Sequence, residues 1–253
     1  MAVPERPQRW VPLGEGLLLL EFADRPSPAV TEAIVRVRDR LLARPFPGLL
    51  ELIPGYTTLG LLYDPEAVVA ALGGASNGSG AEAADPAEAA RRLAEASLNA
   101  GEDPAPDGRG DRSPPSAASG EAPRPAAEPV EIPVRYDGED LEALAERTGL
   151  SREDIVRLHS GTIYTVYMIG FMPGFPYLGE VPEPLRVPRR SVPRTRVPAG
   201  AVGIAGAQTG IYPYESPGGW WIIGHTPVRM FDPAADPPVR LRIGDRVRFV
   251  PVE

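Results

Sequence analysis

The chain contains no cysteine, which removes disulfide stapling, thiolate metal sites and a cysteine nucleophile together. It also contains no lysine: all 26 basic residues among its 253 are arginine. A Schiff-base amine, a phosphate-loop lysine and a biotinyl-lysine each need a primary amine, so this chain can supply none of them. Arginine-only usage beside abundant Ala, Pro and Gly reads as genomic base composition, and the exclusions hold whatever its origin. Histidine is scarce, with only His159 and His225. No H-E-x-x-H or phosphate-loop motif occurs, and two isolated imidazoles with scattered carboxylates make no recognisable metal-ligand set. The LLLL run at 17–20 is far too short to span a bilayer, and MAVPERPQRW lacks the apolar core of a signal peptide. These absences predict a cytoplasmic protein with no membrane association.

What is present is unevenly charged. The net charge of −8 argues against general nucleic-acid binding. Residues 73–129 hold ten acidic residues against five Arg, whereas residues 161–231 hold six Arg against three Glu and no Asp. A locally positive face on an acidic protein suits a small anion or an acidic partner.

The length allows one large or two modest domains. Residues 16–23 (GLLLLEFA) read as a buried strand. A helix follows, with Ser27 as N-cap, Pro28 at the first helical position, and Val30, Ile34, Val37 and Leu41 on one face. LLELIPG and TTLGLLY are two strands about a Pro54-Gly55 turn, and a further helix starts after Asp64-Pro65. This order predicts a small N-terminal α/β domain over 1–72, ferredoxin-like in pattern, with an extra helix possible over 86–99. Residues 101–128 carry too little apolar surface to offset ordering entropy and read as a disordered Pro/Gly/Ser/acidic linker. Residues 129–253 form the second domain. It opens with the strand EIPVRY, two short helices (141–147 and 151–158, the latter with a Ser151/Asp154 capping box) and a strand over 162–169. The closing VRLRIGDRVRFVPV alternates as strands about a Gly-Asp turn. The overall class is α+β, with closed or nearly closed β structure in the C-terminal half.

The informative stretch runs from Tyr164 to Asp232, where Pro and Gly punctuate short runs of Val, Ile, Tyr and Trp. Gly174, Gly206, Gly218 and Gly219 offer positive φ or close backbone approach. Such rigid loops predict a preformed docking surface, with Gly170, Phe171, Pro173, Gly174, Phe175, Pro176 and Tyr177 in its first loop. Phe171 and Phe175 are expected to pack rather than to touch a ligand. Arg186, Arg189, Arg190, Arg194 and Arg196 read either as an anion clamp, since guanidinium grips carboxylate or phosphate bidentately, or as a solvated edge whose stems cover apolar surface. Tyr177, Gln208, Thr209, Tyr212, Ser216 and Trp220 could line a concave site, with Gly218 and Gly219 letting backbone N–H groups face a ligand. One of Trp220 and Trp221 should point inward, because neighbours on a strand face opposite sides. His159, just before a strand, reads as a structural hydrogen-bonding residue.

Four ordered blocks carry a resemblance: GFMPGFPYLG, PRR-x-x-PR-x-x-VPAG, GIAGAQTGIYP and SPGGWWIIG. Together they resemble the family that includes the 5-oxoprolinase B subunits, the KipI-type sporulation-kinase inhibitors and the carboxyltransferase half of allophanate-hydrolase and urea-amidolyase systems. The likeness runs from about residue 10 to 72 and from about 130 to 252. Two features depart from it: the insertion at 73–129, and His225, which stands beside Thr226 where the family usually carries Arg. His225 therefore reads either as a ligand-facing hydrogen-bonding group without permanent charge or as a structural one. The resemblance implies a cyclophilin-like β-barrel for the C-terminal half and an anion site built from Arg189, Arg190 and Arg194. It further implies a non-autonomous subunit of an ATP-dependent 5-oxoprolinase, with ATP used in the complex, a carboxyltransferase-like second subunit and a third 5-oxoprolinase subunit as partners. The other family roles, histidine-kinase inhibitor or carboxyltransferase subunit acting with a separate biotin carrier, remain the alternatives.

Overall fold

The computed structural model describes residues 6–73, 85–100 and 128–253. The expected linker over 101–128 lies outside these residues except for Glu128. The chain divides into two compact units, Met1–Pro123 and Arg124–Glu253.

The first unit runs β1 (Arg9–Leu13), β2 (Leu17–Glu21), α1 (Pro28–Ala43), β3 (Leu49–Pro54), β4 (Thr58–Tyr63), α2 (Pro65–Ala71) and α3 (Pro86–Asn99). Its sheet is antiparallel with order β1-β2-β4-β3. One device opens all three helices. Ser27, Asp64 and Asp85 each accept a hydrogen bond from the first turn, and each is followed by proline. The cap satisfies an orphan N–H, and proline sits where a missing N–H costs nothing. Leu18, Leu20, Leu59, Leu61 and Tyr63 form one core with Ile34, Val37, Leu41 and Val68. The helix over 86–99 belongs to this core through Ala89, Ala90 and Ala94. Strand β1 is not legible in the sequence. RWVPL contains Pro12, which demotes a strand pattern, and β1 lies at the sheet's edge, where proline is tolerated.

The second unit runs β5 (Val130–Val134), α4 (Leu141–Thr148), α5 (Arg152–Ser160), β6 (Ile163–Ile169), β7 (Pro176–Gly179), a 3₁₀ turn (Glu183–Leu185), β8 (Arg194–Val197), β9 (Ala201–Ala205), β10 (Gln208–Ile211), β11 (Ser216–Gly218), β12 (Trp221–His225) and β13 (Arg246–Pro251). Seven strands form one sheet, β12-β9-β10-β7-β6-β13-β5, while β8 and β11 make a separate two-stranded ladder. Arg135, just past β5 at one edge, exchanges two backbone hydrogen bonds (2.9 and 2.8 Å) with His225 at the end of β12 on the other edge. The sheet is thereby almost closed into a barrel. Val134, Tyr164, Leu178, Ile204, Ile223 and Phe249 fill it, together with Leu141 and Leu144 of α4 and Ile155 of α5. Ser151 caps α5, accepting from Asp154 N–H at 3.0 Å.

The closing segment differs from the expected pair of strands. Only β13 is a continuous strand; before it the backbone makes a single bridge, Val239 with Phe231. Arg240 N–H bonds to Met230 O, and Asp245 accepts from Arg242 N–H within the turn. The alternation of Arg with apolar residues is real, but its first half finds no strand to pair with.

Candidate functional site: the acidic loop at the barrel seam

The barrel closes on a five-residue loop, Tyr136-Asp137-Gly138-Glu139-Asp140, between β5 and α4. It crosses β12 at contact distance. A Cβ on Gly138 would overlap Ile222 O, and one on Gly224 would stand 2.5 Å from Arg135 O. No side chain fits at either place, so both glycines are dictated by backbone approach. Gly138 N–H and Asp140 N–H donate to Ile223 O (3.2 Å) and Ile222 O (3.0 Å). Asp140 Oδ2 accepts Ile222 N–H at 2.7 Å.

This loop gathers the arginines of the Pro-rich segment. Asp140 is buried and its Oδ1 accepts from Arg190 Nη1 and, at 2.6 Å, from Arg194 Nη2. Arg194 Nε also faces Glu139 at 2.7 Å. The bond to Asp140 holds the Arg194 guanidinium above its ordinary pKa, so it is a permanent cation. Arg190 lies over the Trp221 ring, 5.3 Å from its centroid, with Arg147 also 5.7 Å from that centroid. The indole N–H donates to Pro188 O at 2.8 Å. Two buried guanidinium nitrogens, Arg190 Nε and Arg194 Nη1, have no hydrogen-bond partner among the described residues.

Of the five candidate arginines, four thus face carboxylates of this chain: Arg186 pairs with Glu180 at 2.7 Å and Arg196 with Glu215 at 2.6 Å. Arg189 is exposed and forms no ion pair among the described residues. Its charge reaches two phenols. Burial pushes the Tyr212 hydroxyl up to about 12, against the pull of the Trp220 N–H and of Arg189, and Tyr177 is raised by burial against the same cation. The five do not form one open clamp.

At the other end of the loop, His225 Nδ1 lies 2.8 Å from Asp137 Oδ1, and Arg135 Nε bonds to Asp137 Oδ2. Burial pushes the Asp137 carboxyl up, but the hydrogen bonds from His225 and Arg135 outweigh it and leave its pKa below the ordinary value. His159 is different in kind. It is fully buried, stacked on Phe249 at 4.5 Å, with Nδ1 2.8 Å from Tyr136 Oη and Nε2 2.9 Å from Thr209 Oγ1. Burial lowers its pKa to about 3. Thr209 donates to Gly203 O at 3.0 Å, so its oxygen accepts from Nε2–H and Nδ1 accepts from Tyr136. The neutral ring has one tautomer and both nitrogens satisfied, a structural role as expected.

Several candidate contact residues face inward. Thr209 and Tyr212 are buried, which corrects the expectation that they line an open site, and Thr226, the neighbour of His225, is buried as well. Gly218 is needed for close approach, since a Cβ there would overlap Tyr212 Oη. Gly219 has ordinary space, its nearest neighbour Pro193 being 3.7 Å away, and so does not need to be glycine for the reason predicted. Gln208 and Ser216 are half-buried. Trp220 is the inward tryptophan, packed on Phe175 with Tyr177; it supports the loop from beneath rather than presenting a surface.

In the Gly170–Tyr177 loop, Phe175 is buried but Phe171 is 63% exposed, with a backbone φ of 67°. Phe171 still packs as expected, edge-on against Phe175 with ring centroids 5.6 Å apart, while its left-handed backbone leaves most of the ring at the surface. Gly170 N–H donates to Phe175 O, closing the loop before Pro176 starts β7. Pro173 sets up Gly174, whose φ is 79° and whose Cβ position is occupied by Phe231.

The role of the Tyr136–Asp140 loop is not evident from its own residues. The available signal is the imbalance of charge: a segment with twice as many arginines as acids needs carboxylates from elsewhere. Among the described residues no group of three His, Asp or Glu is placed to hold a metal ion, and no helix is long and apolar enough to cross a membrane.

Residues 8–241 match the family model described as carboxyltransferase domain, subdomain C and D. The chain belongs to this family. It is 40% identical over 243 residues to the 5-oxoprolinase B subunit of Escherichia coli O157:H7, covering 94% of each chain. It is 38% identical over 242 residues to the 5-oxoprolinase B subunit of Bacillus subtilis (strain 168), covering 94% of this chain and 90% of that one. Among solved structures, TTHA0988 superposes with a TM-score of 0.71 at 39% identity; the match takes in 94% of this chain but only 40% of that longer one. The Kluyveromyces lactis urea amidolyase, at 16% identity and a TM-score of 0.64, shares the fold over 96% of this chain and 15% of its own length. Chains alike to this one in sequence or fold thus occur both at its own length and as parts of longer ones.

Proposed function

We propose that this protein is a non-autonomous subunit of an ATP-dependent 5-oxoprolinase that opens 5-oxoproline to glutamate with release of ADP and phosphate. The observation that carries this reading is the near full-length similarity to two 5-oxoprolinase B subunits. A five-membered lactam resists opening, and phosphorylation of its oxygen by ATP supplies a carbonyl carbon that water can attack. Substrate carboxylate and phosphorylated intermediate are both anions, which matches the arginine-rich face of the second unit. The chain has no phosphate loop and no lysine, which supports a composite site: a carboxyltransferase-like partner, together with a third subunit, would bring nucleotide binding and the remaining chemistry.

Within this reading the chain contributes a rigid wall. Asp140 pins Arg190 and Arg194 against the barrel seam, Arg189 projects from the same Pro-rich segment, and the exposed ring of Phe171 offers the partner an apolar contact. The test is reconstitution of this chain with the two other subunits, following 5-oxoproline-dependent ADP and glutamate release. Activity should require all three proteins, and the chain by itself should neither hydrolyse ATP nor open the lactam. Full activity from the partners without this chain would refute the reading, and tight binding to a histidine kinase with no activity in the mixture would replace it.

A further inference from the structure

The four-stranded sheet of the first unit has a second face, which its three helices leave uncovered. The register sets Leu13, Leu17, Leu62 and Glu51 in one row across β1, β2, β4 and β3. The next row is Val11, Leu19, Gly60 and Ile53, and a third holds Arg9, Glu21 and Thr58. Directly paired residues share a face of the sheet, so these rows lie opposite Leu18, Leu20, Leu59 and Leu61, which meet the helices. Leu17 Cδ1 and Ile53 Cβ close over the bare side of Gly60, 3.4 and 3.5 Å from where its Cβ would stand. None of the apolar side chains in these rows belongs to a core cluster, and Leu13 and Ile53 are each 47% exposed. A sheet covered on one face alternates apolar with polar residues, whereas a sheet covered on both carries continuous apolar runs. The runs LLLL at 17–20 and LGLLY at 59–63 are of the second kind, and they form the two central strands. A contiguous apolar face of this sort marks an interaction site.

The charges at its corners indicate the occupant. Arg9 stands at one corner, 70% exposed and held to Glu21 through Nε at 2.7 Å. Glu51 stands at the diagonally opposite corner, exposed and without an ion pair among the described residues. A five-residue strand spans about 13 Å and four strands about 14 Å, so the face is close to square. Two such faces can stack with their strands at near right angles, one of the two modes of sheet packing. A two-fold axis along the diagonal through Leu13 produces that crossing. It sets Arg9 of each copy over Glu51 of the other and stacks the leucine rows between them. The face is therefore complementary to itself in charge as well as in apolar character, as a two-fold interface requires. We propose that this face docks a second copy of the chain, giving a two-fold dimer through the first unit. A contact of this size lies at the low end of specific interfaces, so the dimer assembles reversibly in the micromolar range. The proposal does not depend on the 5-oxoprolinase reading.

The test is sedimentation velocity of the full chain over a concentration series up to about 100 μM, where a monomer–dimer equilibrium is expected. Leu13→Asp puts two like charges on the axis and should leave only monomer. Leu13 lies outside the core, so far-UV circular dichroism and the melting temperature should stay as in wild type. Arg9→Glu and Glu51→Arg should each weaken dimerisation about tenfold or more, because each makes both corners of the face alike in charge. An equimolar mixture of these two variants should dimerise as wild type does, since both corner contacts of the mixed pair are again opposite in sign. That rescue also shows that both variants fold. Arg36→Glu mixed with Glu32→Arg, the same charge changes on α1 across the sheet, should leave the equilibrium unmoved. A wild-type chain that stays monomeric throughout the series would overturn the proposal. So would a dimer that ignores Leu13→Asp, which would place the contact on another surface, or the absence of rescue in the mixture, which would refute the crossed arrangement.

Discussion

The most informative perturbation of the fold is Asp140→Ala. Three donors converge on this buried carboxylate: Arg190 Nη1, Arg194 Nη2 and the Ile222 N–H. Removing it strands all three. A buried N–H left unpaired costs about 1–3 kcal/mol, and breaking a buried ion pair by deleting one partner costs about 3–5 kcal/mol. The sum is too large here, because Arg190 and Arg194 keep 29% and 18% of their side chains exposed and can partly swing to solvent. Arg194 also retains Glu139. The lower end, about 3 kcal/mol, is therefore expected. Arg190→Ala should cost less, about 1.5 kcal/mol, since Asp140 keeps Arg194 and the Ile222 N–H. Equilibrium urea unfolding of the full chain provides the assay, read by near-UV circular dichroism from Trp220 and Trp221 in the second unit. Loss should be confined to the transition those residues report. An Asp140→Ala protein within about 1 kcal/mol of wild type, or a variant less damaged than Arg190→Ala, would show that Asp140 does not hold the seam.

Two further outcomes follow from the same structure. His159 is held neutral to about pH 3 in the folded protein, whereas in the unfolded chain it protonates near 6.5. Stability should be fully present above pH 6.5 and fall by up to about 1.4 kcal/mol per pH unit between 6.5 and 3, and His159→Gln should remove that part of the slope in urea titrations at several pH values. Gly138→Ala would drive a methyl group into both Ile222 O and the Ile223 carbonyl carbon. A backbone clash on that scale should cost about 3 kcal/mol or more and appear as a lowered melting temperature of the second unit; a melting temperature unchanged within about a degree would contradict the close approach.

Much of the local structure is settled by the chain itself. The Ser27-Pro28 and Asp64-Pro65 pairs start helices where they stand, because cap and proline act within one turn. Ser151 with Asp154 does the same for α5. The alternation in TTLGLLY and the 3.6-residue spacing of Val30, Ile34, Val37 and Leu41 each mark a buried face by periodicity alone. The absence of Lys and Cys decides which chemistries the chain cannot host. The Pro-Gly blocks identify the family, since their order survives in sequence regardless of how they fold.

What the tertiary structure decided lies between distant residues. Which carboxylate meets Arg190 and Arg194 depends on contacts across 50 and 54 positions of chain, and no local pattern encodes them. His159 and His225 look alike in sequence, yet one is sealed between Tyr136 and Thr209 while the other lies at the surface beside Asp137. Thr209 and Tyr212, polar enough to suggest a binding site, turn inward because strand pairing fixes their face. Phe171 and Phe175 share a loop and a residue type, but the backbone turns one out and the other in. Side-chain chemistry is a property of the sequence; whether a group is buried, paired or free is set by which backbone segments the barrel brings together, and at this seam two glycines make that approach sterically possible.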